Sequence, residues 1–227
     1  MRKLFICCLV LALASLSAIA QTHYKSHVHV GGHAGMTLSQ MDFVPKTKGS
    51  FKPGITMGAS FRYAEERHVG LLAELNLTQK GWKEDFEGAP LNYERTLTYI
   101  ELPVMTHIFF GSPKFKGFFN LGPQINYMIS SSISSNFDYT NPSAVPEMPE
   151  GFRVNDQMYL PVKNKFDYGI CAGAGAELIL KHRHCIQAEV RFYYGLGNIY
   201  PDNKRDVFSA SRNLCLSVTL GYMFRIK

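Results

Sequence analysis

The sequence is poor in cysteine. It has five, and two of them, Cys7 and Cys8, fall within the first twenty residues. Cys171, Cys185 and Cys215 alone are too few, and odd in number, for a disulfide framework. Beyond residue 20 no apolar run reaches about 18 residues, which excludes a transmembrane helix. Charge of one sign is also scarce. The formal net charge is +6, with no basic block that would suit nucleic acid. Phosphate-cradling glycine loops are missing too. Gly173-Ala174-Gly175-Ala176-Glu177 lacks a third glycine and a following helix, so it reads as strand packing. No metal, cofactor or nucleic-acid partner is expected.

Residues 1–20 read as a secretory signal peptide. Arg2 and Lys3 form a basic start, an apolar core follows, and Ala18-Ile19-Ala20 is a small-x-small cleavage site. Cys7 and Cys8 lie inside the apolar core, without the setting of a lipid-attachment cysteine. Removing Arg2 and Lys3 leaves 22 basic and 18 acidic residues, a balance of +4. The remainder, 21–227, reads as one domain.

That domain is dominated by a period of two. Over 213–227, Leu214, Leu216, Val218, Leu220, Tyr222, Phe224 and Ile226 alternate with Cys215, Ser217, Thr219, Gly221, Met223 and Arg225. Only a β-strand places such sets on opposite faces. The same alternation recurs near 27–39, 53–63, 69–80, 99–110, 118–129, 166–180 and 185–196, making eight candidate strands. The connections alternate between tight turns and long loops, the latter at about 40–52, 81–94, 130–165 and 197–212. Short turns at one rim and long loops at the other is the plan of an outer-membrane barrel. Pro103 interrupts the fourth strand and predicts a local bulge there.

Alternation alone does not say which face points inward, since a soluble barrel has its apolar face inside. Three features favour the inverted arrangement. The polar face is rich in glycine (Gly54, Gly58, Gly122, Gly173 and Gly175 among others), which suits a crowded lumen. Aromatics of the apolar face gather near strand ends, as in two interfacial girdles: Tyr127, Phe166, Tyr168 and Tyr194 at one rim, Phe61, Tyr63, Phe110 and Tyr222 at the other. The polar face carries acids and bases that can pair across a narrow lumen. The expected charge network is Arg62, Glu74, Glu101, Glu177, Glu189, Arg191 and Arg225. The fold class expected is an all-β, eight-stranded antiparallel up-and-down transmembrane barrel with a polar lumen and a lipid-facing apolar exterior.

Several stretches resemble one family. Tyr99-Ile100-Glu101-Leu102-Pro103-Val104, Gly117-Phe118-Phe119-Asn120-Leu121-Gly122-Pro123 and the ending Leu220-Gly221-Tyr222-Met223-Phe224 are similar to the PorT-like outer-membrane β-barrel proteins of Bacteroidetes. The resemblance spans nearly all of 21–227 and its motifs are structural. It implies an eight-stranded barrel in the cell outer membrane. One namesake of the family serves protein secretion, a role the motifs here do not carry over.

Candidate chemistry is sparse. His27, His29 and His33 share a face, but no carboxylate or cysteine of that stretch joins them as a metal set, so they read as lumen or rim residues. Ser39, Ser130 and Asp167 lie near the long-loop rim without an inward histidine beside them, so no enzyme is expected. Glu74 and Glu101 read as partners of arginine rather than as a general acid and base. Cysteines on the sixth and eighth strands would be about 9–10 Å apart, beyond the ~6 Å a bridge needs, so free thiols are expected. Lys46, Lys48, Lys52, Lys204 and Arg205 read as solvated loop residues. The functional expectation is a non-enzymatic, structural or partner-binding barrel, touching outer-membrane lipid and offering its long loops to envelope or secretion proteins. The alternative is a narrow porin-like channel for small solutes.

Overall fold

The computed structural model describes residues 26–64, 68–141, 145, 156–181, 183–202 and 206–226. The signal peptide read at 1–20 lies outside them. In chain order the elements are β1 (His27–Val44), β2 (Gly49–Ser50), β3 (Lys52–Ala64), β4 (Val69–Glu84), β5 (Tyr93–Gly111), β6 (Phe115–Ser135), α1 (Asp156–Tyr159), β7 (Phe166–Leu180), β8 (His184–Gly195) and β9 (Ala210–Arg225).

The eight long strands pair antiparallel in sequence order, and β9 returns to β1 with Met36 opposite Val218, which closes the ring. The two-residue β2 adds to β4, Gly49 facing Glu84. Closure leaves no strand edge along the apolar belt, so the backbone donors and acceptors there are satisfied within the sheet, as lipid requires. Among the described residues no helix is long and apolar enough to cross a membrane. The crossing element here is the strand.

Burial decides the orientation of the faces. Met36 and Leu220 are 66% and 67% exposed, whereas Met105 and Asn120 are fully buried. Along β5, Ile100, Leu102, Val104, Ile108 and Phe110 point out while Glu101, Pro103, Met105 and His107 point in. The outward belt from Ile100 to Phe110 matches the 9–11 residues of a tilted membrane strand.

Two expectations need correction. Pro103 causes no bulge. Ala73 pairs with Val104 and Asn76 with Glu101 in one unbroken register. A proline only withholds a donor, and the ladder skips it without an added residue. The register shift lies instead between Thr98 and Tyr99, which face Ser130 and Met128, leaving Ile129 as the extra residue. The long loops are also shorter than expected, because strands run on into them. β1 reaches Val44, β4 reaches Glu84, β5 starts at Tyr93, β6 reaches Ser135 and β9 starts at Ala210. In this outer extension the faces reverse. On β5, Tyr93, Leu97 and Tyr99 are buried inside while Glu94, Thr96 and Thr98 face out.

Candidate functional site: lumen network and outer cap

The lumen is filled by charged side chains held on inward strand positions. Nearest the short turns, Arg62 of β3 donates to Glu177 of β7 at 2.7 Å and contacts His107 at 3.1 Å. Lys116 stands 3.8 Å from the same carboxylate. His107 meets the Asn120 amide, whose nitrogen donates to Glu189 at 2.9 Å. At mid-lumen Arg191 of β8 spans two acids. It donates to both oxygens of Glu74 at 2.6 and 3.0 Å, and to Glu189 at 2.8 and 3.0 Å. Such bidentate pairing is the strongest form of a charged hydrogen bond. Gly58 and Gly173 make the room: a Cβ on Gly173 would overlap the Glu189 carboxylate, and one on Gly58 the Asn76 amide.

Above Arg191, Lys80 of β4 lies 2.5 Å from Glu101 and 3.9 Å from the centre of the Tyr193 ring. Asp167 takes hydrogen bonds from Tyr193 at 3.0 Å, Asn213 at 2.9 Å and Asn126 at 3.3 Å. Between these layers the lumen keeps a cavity of about 20 Å³, lined by His33, Thr56, Asn76, Glu101, Arg191 and Ser217 among others. That is room for about one water.

The outer mouth is closed by a different material. Met41, Phe43, Trp82, Tyr93, Leu97, Met158, Ile199, Tyr200 and Phe208 form one buried apolar cluster. Phe43 meets Trp82 edge-on at 5.4 Å, and Tyr200 stacks on Phe208 at 5.6 Å. The short α1 is tethered into it. Tyr93 donates to the Met158 carbonyl at 2.7 Å, Tyr200 to the Gln157 carbonyl at 3.0 Å, and Arg95 to the Leu160 carbonyl at 2.7 Å. The Gln157 amide and the Trp82 indole both donate to one oxygen of Glu84, at 3.1 and 3.0 Å. The other Glu84 oxygen is buried with no hydrogen-bond partner among the described residues. Burial pushes this carboxyl up to about 7, and those two hydrogen bonds only partly offset it. Burial also raises the Tyr93 and Tyr200 hydroxyls above their usual range.

Of the seven residues named for the network, six meet in the lumen and one stands apart. Arg225 lies at the end of β9, 2.7 Å from His27. The network also includes Lys80, Lys116 and Asp167, which sequence reasoning left out. Lys80 shares inward parity with Glu74, Asn76 and Thr78, which was the available signal. Lys52 corrects another expectation: it is buried, and its ammonium donates to the Pro53 carbonyl at 3.2 Å. Lys204 and Arg205 lie outside the described residues. Cys171, Cys185 and Cys215 are free and buried. His33 contacts Ser60 at 2.9 Å, and among the described residues no three of His, Cys, Asp and Glu are grouped to hold a metal.

Known proteins share this architecture. The outer membrane protein OprG from Pseudomonas aeruginosa matches with a TM-score of 0.53 at 8% identity, over 91% of this chain and 98% of that one. Neisserial surface protein A matches with a TM-score of 0.48 at 10% identity, over 88% and 99%. At such identities the likeness concerns the fold. No curated protein matches the chain. The model of one family, described as an outer membrane protein beta-barrel domain, matches residues 19–200. With its closed ring, lipid-facing belt and matched family model, this chain belongs to the outer membrane protein beta-barrel domain family and resides in the outer membrane.

Proposed function

We propose that the barrel is a closed, non-enzymatic scaffold that presents its outer extension and loops to a partner in the envelope, and does not serve as a pore. The observation that carries this reading is the double seal. Arg191 and its acids leave space for about one water at mid-lumen. Above them the apolar cluster around Trp82 and Tyr200 fills the outer mouth. An ion would have to displace paired charges and then cross a dry aromatic plug, and neither offers it a substitute hydration shell. The buried acids also lack what general acid–base work needs, since each lumen glutamate is committed to a fixed base or amide.

Reconstitution of the refolded chain into planar bilayers tests the reading. The expected result is negligible conductance. Stable single-channel currents in the nanosiemens range would overturn it in favour of the solute channel. The resemblance to PorT-like proteins supports a finer proposal, an accessory role in protein secretion. Deletion followed by profiling of exported proteins tests it, and an unchanged profile removes that role while leaving the scaffold reading intact.

A further inference from the structure

Near the outer surface the barrel wall forks. The last paired residues of β6 and β7 are Tyr127 and Phe166, and the Met128 amide donates to the Lys165 carbonyl at 2.8 Å. Beyond that point β6 continues beside β5 as far as Ser135 opposite Tyr93. The segment 160–165 instead bends toward α1, where Arg95 holds the Leu160 carbonyl. Between the two arms lies an open cleft of about 470 Å³, lined by Arg95, Ser130, Ser131, Ile133, Val162 and Lys165 among others. That volume lies within the usual range for small-ligand sites, about 300–1,000 Å³.

The lining combines two chemistries. Among the described residues that line it the charged groups are Arg95 and Lys165, both basic. Lys165 is exposed. Arg95 is buried and spends Nε on Ser131 at 3.1 Å and Nη1 on the Leu160 carbonyl and Tyr200. Ser130 and Ser131 add hydroxyls, while Met128, Ile133 and Val162 make apolar walls. The cleft is also continuous with the lipid belt. Ile129 lines it and is 50% exposed, and Tyr127 and Phe166 directly below are exposed belt residues. A soluble anion would need no apolar wall, and a neutral lipid would need no pair of cations.

The geometry points to a binding site for the phosphate-bearing headgroup of an anionic outer-leaflet lipid, with the first acyl carbons lying along Ile129, Tyr127 and Phe166. Lys165 meets the phosphate at the mouth, and the serine hydroxyls and Arg95 line the inner wall. The inference is independent of whether the lumen conducts.

Native mass spectrometry of the full chain, refolded in neutral detergent, tests it. The probes are phosphatidylglycerol, phosphatidylcholine with the same chains, and glycerol phosphate. A one-to-one phosphatidylglycerol adduct is expected, with phosphatidylcholine bound at least about fivefold more weakly. Lys165→Gln should weaken phosphatidylglycerol roughly fivefold and leave phosphatidylcholine unchanged, as suits one basic residue at a charged lipid surface. Val162→Asp should weaken it further, while Lys83→Gln, on the outward face of β4 away from the cleft, should change nothing. Heat-modifiable migration on a gel verifies that each variant is folded. Equal binding of both lipids, or indifference to Lys165→Gln, overturns the site. Glycerol phosphate binding as tightly as the lipid overturns the lipid assignment in favour of a soluble anion.

Discussion

Below the bulge at Thr98 and Tyr99 the barrel is apolar outside and charged inside; above it, on the same strands, the order is reversed. On β6 the lower half shows Leu121 and Ile125 to lipid and keeps Asn120 and Asn126 within, whereas the upper half is exposed serine. The two regions also treat acids differently. In the lower barrel Glu74, Glu101 and Glu177 each have a base within 2.7 Å. In the upper cap the donors to Glu84 among the described residues are the neutral Trp82 and Gln157. The surrounding solvent accounts for the reversal. Lipid accepts apolar side chains and drives charge inward, where it must be paired. Water accepts the polar face and returns the apolar one to the interior. A continuous strand can serve both because each face is independent along a two-residue period.

The largest expected difference comes from removing the shared cation of the lower region. Arg191→Ala strands Glu74 and Glu189 in the lumen, with the His33 imidazole, 3.9 Å from Glu74, as the nearby base. It should cost about 3–5 kcal/mol, read as a lowered urea midpoint for the barrel refolded in lipid vesicles. A loss under about 1 kcal/mol would mean that water enters the lumen freely enough to solvate both acids. The next effect separates the two exteriors. Val218, 53% exposed in the belt, should lose about 2–4 kcal/mol on Val218→Arg if it lies near the bilayer midplane. Ser132, exposed in the extension, should change by less than about 0.5 kcal/mol on Ser132→Arg. Equal costs at both positions would break the distinction between lipid-facing and water-facing walls.

The belt was legible in the sequence because both of its faces carry a signal. Leu214 to Ile226 alternates with Cys215 to Arg225 almost without exception, and the short turns near 111–114 and 181–183 punctuate it. The extension was hidden for the opposite reason. Its outward residues, such as Ser130, Ser132 and Ser134, have loop-like chemistry, and its inward ones, such as Trp82 and Tyr93, sit among Gly, Pro and Asp. Strand and loop therefore look alike there. Within the lumen, parity named the inward acids and arginines, but it could not say which would touch. Arg62 and Glu177 are 115 positions apart and meet across the ring, a distance set by closure and side-chain reach. Arg225 has the right parity but sits at the end of β9, where His27 is its neighbour. The cap depends on α1, whose four residues carry no periodic signal.

Glu84 offers the sharpest test of the cap, because neutral donors stand where the lower barrel gives an acid a base. Burial holds its carboxyl at about 7, against an ordinary 4.5. Between those values the folded cap binds more protons than the unfolded segment. Cap stability is therefore greatest below about pH 4.5, falls as pH rises through 7, and then levels off. The shift corresponds to roughly 3–4 kcal/mol, given about 1.4 kcal/mol per pKa unit. Hydrogen exchange of α1 and the emission of Trp82, the sole tryptophan, report this opening. The native chain should show weaker α1 protection at pH 8 than at pH 5. Glu84→Gln keeps an acceptor for the Trp82 indole and removes the ionisation, so its protection should be the same at both values and exceed the native chain's at pH 8. If the variant keeps the native pH dependence, the proton is bound elsewhere, and the cap handles its charges by pairing, as the lumen below it does.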